Sequence, residues 1–191
     1  MTFILAVLFS IFLFMLIPIY WKNYGPANFL WMSDIGLFLT VAALWLHSSL
    51  LISMAVVGIL PLELIWVTDY FYRLATHKKL FGISNYMFNS KYTRFLRALS
   101  LFHLVLPVVW IGYLCEWGYN AKAPLYQTAL AWVVLSLTYF CTNPRSNINW
   151  VFLPEDYHWK KISPLFWFIV LLFLFPLILI WPMHALISHI F

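Results

Sequence analysis

Charged residues are scarce in this sequence. Only 9% of its 191 residues are Asp, Glu, Lys or Arg, while 64% are hydrophobic and the mean hydropathy is +0.89. A soluble protein of this length needs a polar exterior, and the chain lacks the residues to build one. Apolar stretches of about 18–20 residues, long enough to cross a bilayer, recur along the sequence. The composition therefore predicts an all-α polytopic membrane protein.

Several other patterns are also missing. The sequence has no internal repeat, heptad series or low-complexity linker, so residues 1–191 are predicted to form a single transmembrane domain. The first apolar stretch lacks a basic segment and a small-residue cleavage site, which indicates a retained span rather than a signal peptide. The two cysteines, Cys115 and Cys141, fall near opposite ends of different predicted spans. A disulfide between them is not expected.

The hydropathy predicts a bundle of six transmembrane helices. The predicted spans are about 3–20, 29–47, 51–72, 97–117, 125–142 and 164–183. Only a few residues, around the tripeptide HSS at 47–49, separate the second from the third, which predicts a tight hairpin. Pro61 is expected to kink the third span next to Glu63. Pro144 disfavours helical geometry at Asn143, so the fifth span is expected to break there.

The basic residues predict the orientation of this bundle. Ten of the eleven Lys and Arg residues fall in the first, third and fifth connections between spans, and Lys122 alone falls on the other side. Cytoplasmic loops carry such an excess of positive charge, so these connections are predicted to be cytoplasmic and both termini outside. The net charge of +5 is explained in this way, and nucleic acid is not an expected partner.

Polar side chains converge at one level of the predicted bundle, in its cytoplasmic half. Charged groups at membrane depth cost about 2.5–3.5 kcal/mol and normally face the bundle interior or a water-filled cavity. We therefore expect a polar cavity that opens toward the cytoplasm, with Glu63 placed deeper as a neutral acid. The residues assigned to this cavity are Trp31, Ser33, Asp34, Asp69, Tyr70, His103, Trp110, Thr138, Thr142, Asn143, Arg145, Asn147 and Asn149.

Each of these residues also has an ordinary structural explanation. Asp69 and Arg73 lie four residues apart and can form an ion pair on one helix. Asp34 can cap the second span, and His103 can bind a backbone carbonyl. Ser and Thr in spans often donate to the preceding turn.

The segment CTNPRSNINW, residues 141–150, is unusually polar for this chain. Its Asn side chains can bind the carbonyls that a broken helix exposes, which accounts for Asn143 and Asn147. Arg145 is not required for that purpose. Its planar guanidinium suits a phosphate or carboxylate, either as a lipid anchor or as a binding group for a substrate headgroup.

Three segments within residues 29–154 resemble motifs of YwaF-like integral membrane proteins, whose eukaryotic relatives include phospholipid acyltransferases. The segments are WMSDIGLFL, SLFHLVLPVVWIGYL and SLTYFCTNPRSNINWVFLP. In that family one span opens with a short polar motif, a later span carries a histidine, and another ends in an Asn-rich turn. Asp34, His103 and residues 143–149 match these features. Ser33 stands where the family's cysteine is expected, which counts against thioester-type acyl transfer.

The common depth and the resemblance together suggest a lipid-modifying enzyme that carries out acyl transfer or hydrolysis, with membrane lipid as its partner. Ser33 would be the acyl-accepting hydroxyl and His103 its base, oriented by Asp34 or Asp69.

The remaining residues would bind the substrate. Thr142, Asn143 and Asn149 would donate hydrogen bonds to a developing oxyanion. Arg145 and the basic third connection would hold an anionic headgroup.

Two alternatives use the same residues. In a small transporter or a ligand-, proton- or cation-binding protein, protons would be relayed or a cation coordinated by Asp34, Glu63, Asp69 and His103. A homodimer would then supply the second half of the pathway. A metal site is a further option, built from Asp34, Asp69 and His103. No HxxxH or CxxC spacing supports it, so no metal or other cofactor is predicted.

Overall fold

The computed structural model of the protein describes residues 1–153 and 162–191. Regular structure in these residues is entirely helical, with nine α-helices and no strand. The helices are α1 (Thr2–Tyr24), α2 (Met32–Leu46), α3 (Ser49–Gly58), α4 (Leu60–Thr76), α5 (Arg94–Leu99), α6 (Phe102–Trp117), α7 (Ala123–Cys141), α8 (Pro164–Phe175) and α9 (Trp181–Ile190). Short 3-10 turns occupy Pro26–Leu30, Asn85–Phe88 and Ile148–Trp150, and a π-helical turn, Pro176–Ile180, joins α8 to α9. The all-helical class is confirmed for this part of the chain.

Several of these helices are compatible with an integral membrane protein. Within the described ranges, four helical stretches are long and apolar enough to cross a bilayer, namely Thr2–Tyr24, Arg94–Trp117, Ala123–Cys141 and Pro164–Ile190. α3 and α4 form a fifth candidate if the bent pair is one span. α2 has only 15 residues, fewer than the about 20 that a bilayer requires. Six spans with both termini outside therefore stay a prediction.

The predicted orientation also depends on two residues that the structure does not describe. Lys160 and Lys161 contribute to the charge bias, and they lie outside the described residues.

The predicted third span consists of two helices. α3 ends at Gly58 and α4 begins at Leu60, with an angle of 53° between them. Pro61 is the second residue of α4, where its missing N–H costs no intrahelical bond. In a continuous helix its ring would clash with the carbonyl of Val57. The kink predicted at Pro61 is therefore a full break that precedes it by two residues, and it places Glu63 in the first turn of a new helix.

α3 lies at the centre of the bundle and packs against α2, α4, α6 and α7. All of its residues from Ile52 to Gly58 are buried. Gly58 faces Gln127 of α7, and a Cβ atom at this glycine would lie 2.4 Å from Gln127 Cγ. The absence of a side chain at Gly58 therefore sets the close approach of the two helices.

The connection between α2 and α3 is as short as the sequence predicts. His47 ends α2 in a left-handed conformation, with φ of 48°. The Ser48 hydroxyl then accepts a hydrogen bond of 3.3 Å from the Leu51 N–H and caps α3. This turn brings the two helices side by side.

Candidate functional site

A cavity of about 470 Å³ lies among α1, α2, α4 and α6. Residues of the 81–92 segment and of the turn at 149–150 complete its wall. The first turns of three helices each place an ionisable side chain in the lining: Asp34 from α2, Glu63 from α4 and His103 from α6. All three are buried, with 3%, 1% and 7% of their surface exposed.

His103 is bound to a carboxyl group and held between aromatic rings. Its Nδ1 lies 2.6 Å from Oε2 of Glu63. The imidazole stacks on Trp66 and on Phe102, with ring centroids 4.3 Å apart in both pairs. Because Nδ1 is used in the bond to Glu63, Nε2 is the ring nitrogen left for a proton or a ligand. The backbone-carbonyl partner considered for this histidine is replaced by a carboxyl group.

Asp34 supplies a second carboxyl group to the cavity. The Asn28 amide donates to its Oδ2 over 3.3 Å, while Oδ1 has no hydrogen-bond partner in the described part of the chain. Asp34 and Glu63 each lie in the first turn of a helix. The positive end of a helix dipole favours negative charge there, which partly offsets the cost of burying a carboxylate.

Tyrosine and tryptophan side chains add hydrogen-bonding groups to the same lining. The Tyr20 hydroxyl lies 2.8 Å from the Ser100 hydroxyl. The hydroxyl of Tyr24 and the Nε1–H of Trp66 are buried without a partner among the described residues. Burial raises the pKa of the Tyr86 phenol, so this lining residue of the 81–92 segment is neutral. The cavity is therefore both polar and aromatic.

Asp69 does not line the cavity, but it binds the 81–84 segment that forms part of the cavity wall. Its Oδ1 accepts from the N–H groups of Phe81 and Gly82, over 2.7 and 2.9 Å. Its Oδ2 accepts from the N–H and the hydroxyl of Ser84, over 2.8 and 2.6 Å. The carboxylate is thus fully engaged in ordering residues 81–84. Arg73 binds the Asn85 side chain, and it does not form the ion pair considered for it with Asp69.

Tyr70 and Trp110 contribute to packing next to the cavity. Tyr70 stacks on Trp66, with ring centroids 5.3 Å apart. Trp110 donates from Nε1 to the Thr40 hydroxyl over 2.7 Å, and a Cβ at Gly36 would lie 2.9 Å from its ring. These contacts support the helices that carry Asp34, Glu63 and His103.

The polar segment after α7 forms mostly local hydrogen bonds. The Thr138 and Thr142 hydroxyls donate to carbonyls four residues earlier, over 2.7 and 2.6 Å. Asn143 accepts from the Arg145 N–H over 2.9 Å, and α7 ends just before it, at Cys141. Arg145 is exposed and away from the cavity lining.

Asn147 and Asn149 have different roles within that segment. The Asn147 side chain accepts from the Phe152 N–H over 2.9 Å, which closes the turn locally. The Asn149 amide donates to the Leu30 carbonyl over 2.7 Å, and its oxygen accepts from the Met32 N–H over 3.1 Å. Asn149 therefore fixes the start of α2, two residues before Asp34.

The cavity includes some of the residues assigned from the sequence and leaves out others. Those that line it are Trp31, Ser33, Asp34, His103 and Asn149. Those outside its lining are Asp69, Tyr70, Trp110, Thr138, Thr142, Asn143, Arg145 and Asn147. Glu63, which the sequence assigns only to the proton- or cation-binding alternative, also lines the cavity. Trp66 and Tyr24 carried no signal of a site, because aromatic residues are common throughout this chain.

A metal site does not form from the proposed set. Within the described residues, no group of three or more His, Cys, Asp or Glu side chains is placed to hold a metal ion. Asp69 is bound to backbone N–H groups instead of joining Asp34 and His103. No protein-family model, curated protein or solved structure matches the chain.

Proposed function

We propose that the protein is an integral membrane protein that binds a ligand in this cavity and exchanges a proton with it through His103 and Glu63. This is the ligand- and proton-binding alternative that the sequence left open. The observation that carries the proposal is the 2.6 Å hydrogen bond between two buried ionisable side chains in the cavity wall.

The cost of burying charge favours a proton shared between these two side chains. An isolated charged group away from water is strongly unfavourable, whereas a bonded imidazole and carboxyl group can hold a proton between them. A proton that enters or leaves His103 then changes the charge at the cavity wall. Asp34 faces the same cavity, so a ligand there would meet two carboxyl groups and one imidazole. Such a set suits proton exchange with a bound molecule.

Hydrolysis or acyl transfer on a membrane lipid is the second candidate, since Ser33 lines the same cavity as His103. A hydroxyl nucleophile needs a nearby base of this kind. The groups proposed as oxyanion donors are engaged elsewhere, in bonds within α7, within the following turn and to the start of α2. Unchanged acyl release from labelled phospholipid by Ser33→Ala and His103→Gln would reject this candidate.

The location of the site follows from the orientation proposal. We place the basic connections on the cytoplasmic side, so the cavity would open toward the cytoplasm of a multi-pass cell-membrane protein. If the protein also transports the bound ligand, a second chain in a homodimer would complete the pathway.

The fluorescence of Trp66 tests the proposal, because its ring stacks on His103. A protonated imidazole quenches indole fluorescence more strongly than a neutral one. In lipid nanodiscs, we expect a pH-dependent emission change in the wild type. Two other His–Trp pairs, His47–Trp117 and His184–Trp181, contribute a part that is independent of His103. His103→Gln and Trp66→Phe should therefore reduce the change, and Glu63→Gln should alter it. His189→Gln, at an exposed histidine of α9, should leave the change intact. An identical pH response in all variants would reject proton exchange at His103.

A further inference from the structure

We propose that the cavity binds an organic amine in its protonated form. The inference rests on the proposed function, because it names the class of ligand that the same site would take. Four properties of the cavity support it: the charge of its lining, its unpartnered polar atoms, its aromatic rings and its size.

The ionisable groups of the lining favour a cation. Two carboxyl groups, from Asp34 and Glu63, face the cavity together with one imidazole. Lys and Arg are absent from the described residues that line it. A phosphate or carboxylate would meet two acidic groups and no fixed positive charge, whereas an ammonium group would be attracted by both acids.

Unpartnered atoms in the lining favour a ligand with N–H donors. Asp34 Oδ1 and Glu63 Oε1 are buried and have no hydrogen-bond partner within the described residues. Buried polar atoms are normally hydrogen-bonded, and leaving one unpaired is unfavourable. A primary ammonium carries three N–H donors and can reach more than one carboxyl oxygen. A quaternary ammonium has the same charge but cannot form these bonds.

Aromatic rings around the acids favour an organic cation. The rings of Trp31, Trp66 and Trp150 belong to the lining, together with those of several tyrosines and phenylalanines. Cations are attracted to the faces of such rings within about 6 Å, with Trp the most favourable. The same rings also provide apolar contact for the carbon skeleton of an amine.

The size and rim of the cavity argue for more than a bare ion. Its volume of about 470 Å³ falls in the range typical of small-molecule sites. Phe81 and Trp150, both part of the lining, are 63% and 44% exposed. An apolar rim above an acidic interior suits an amphiphilic molecule whose amino group enters first.

Binding of the protonated amine would release a proton from the cavity. When R–NH₃⁺ displaces a proton from a carboxyl group of the lining, it binds the resulting carboxylate. His103 carries the displaced proton to water. No covalent bond forms or breaks in this step. The titratable groups that face the site are Asp34 on α2, Glu63 on α4, His103 on α6, Tyr20 and Tyr24 on α1, and Tyr86 and Tyr92 in the 81–92 segment.

Four related probes test the ligand class on the full chain in nanodiscs, by titration calorimetry. The probes are phenethylamine, its N,N,N-trimethyl derivative, 2-phenylethanol and 3-phenylpropionate. We expect saturable binding of phenethylamine, weaker binding of the trimethyl derivative and the alcohol, and none of the carboxylate. Asp34→Asn should weaken amine binding by at least about tenfold. Glu116→Gln, at an exposed acid of α6, should leave it unchanged.

Carboxylate binding as tight as amine binding would overturn the inference, and so would full amine affinity in Asp34→Asn. If Asp34→Asn does not fold, Glu63→Gln and the probe series on the wild type still decide the question. The Trp66 signal is measured without amine, which separates the two proposals. A persistent pH response without amine binding rejects the ligand class alone, whereas amine binding without a pH response rejects proton exchange alone.

Discussion

His103 occupies a far more specific environment than a packed histidine requires. One ring nitrogen is bonded to Glu63, and both ring faces are covered by Trp66 and Phe102. These contacts fix the plane of the imidazole and the direction in which Nε2 points. The residue that determines the chemistry of His103 is therefore Glu63, a side chain from a different helix.

Only some of the residues that form the cavity can be recognised from the sequence. Asp34 and His103 stand out because ionisable groups are rare in apolar helices, and both line the cavity. Asn149 also stands out, but its partners lie 117 and 119 positions earlier in the chain. No local pattern reveals contacts at that separation, so its bonds to the start of α2 were not predictable.

Replacement of Asn149 tests its role at the start of α2. Asn149→Ala removes the two hydrogen bonds to the start of α2 and a longer one to the Thr138 hydroxyl. It also places alanine at a φ of 52°, which alanine adopts less readily than asparagine. We expect a loss of about 2 kcal/mol in the free energy of unfolding. Thermal unfolding in detergent measures it. Asn143→Ala, which removes one exposed local bond, should change stability by less than about 0.5 kcal/mol. Equal effects of the two changes would contradict this role.

At the scale of helices, the break between α3 and α4 decides where the site forms. On a straight third span, Glu63 would lie deeper than the other polar groups. The break at Ile59 starts a new helix, and the direction of α4 brings Glu63 to His103. Pro61 predicted a kink at this place, but its angle depends on the packing of α3 against the other helices. The sequence therefore predicts where the helix breaks, but not that the break brings Glu63 to His103.

The close contact between α3 and α7 gives a stability prediction at this scale. Gly58→Ala would place a methyl group against the Gln127 side chain, and such overpacking costs about 1–3 kcal/mol. We expect a lower melting temperature in nanodiscs. Gly112→Ala in α6 meets no atom within 4 Å and should stabilise by up to about 1 kcal/mol, through helix propensity. A melting temperature for Gly58→Ala at or above that of the wild type would disprove the contact.

At the scale of the whole molecule, the two cysteines report on orientation. Both are free and exposed. Cys115 lies near the end of α6 and Cys141 at the end of α7. Only residues 118–122 separate α6 from α7, so the two helices cross the bilayer in opposite directions if both span it. The two thiols would then lie on opposite sides.

Labelling of intact cells with a membrane-impermeant maleimide tests the charge-based orientation. We expect labelling at Cys115 in the Cys141→Ser variant, and labelling at Cys141 in Cys115→Ser only after the membrane is permeabilised. The reverse pattern would place the basic connections outside. The composition predicts that this chain is a membrane protein. Its orientation is predicted only from the charges of the connections, because the packing of the helices is the same in either orientation.

Nitrogen NMR of the histidine side chains tests the central claim most directly. In protein labelled with ¹⁵N-histidine and held in nanodiscs, we expect the pH-dependent signals to include two nitrogen shifts that belong to His103, beside those of the exposed histidines. The two His103 signals should disappear in His103→Gln and shift in Glu63→Gln, while Glu116→Gln leaves them in place. A His103 imidazole that stays unchanged across the accessible pH range, and whose shifts are the same in Glu63→Gln, would contradict a proton-exchange site at this pair.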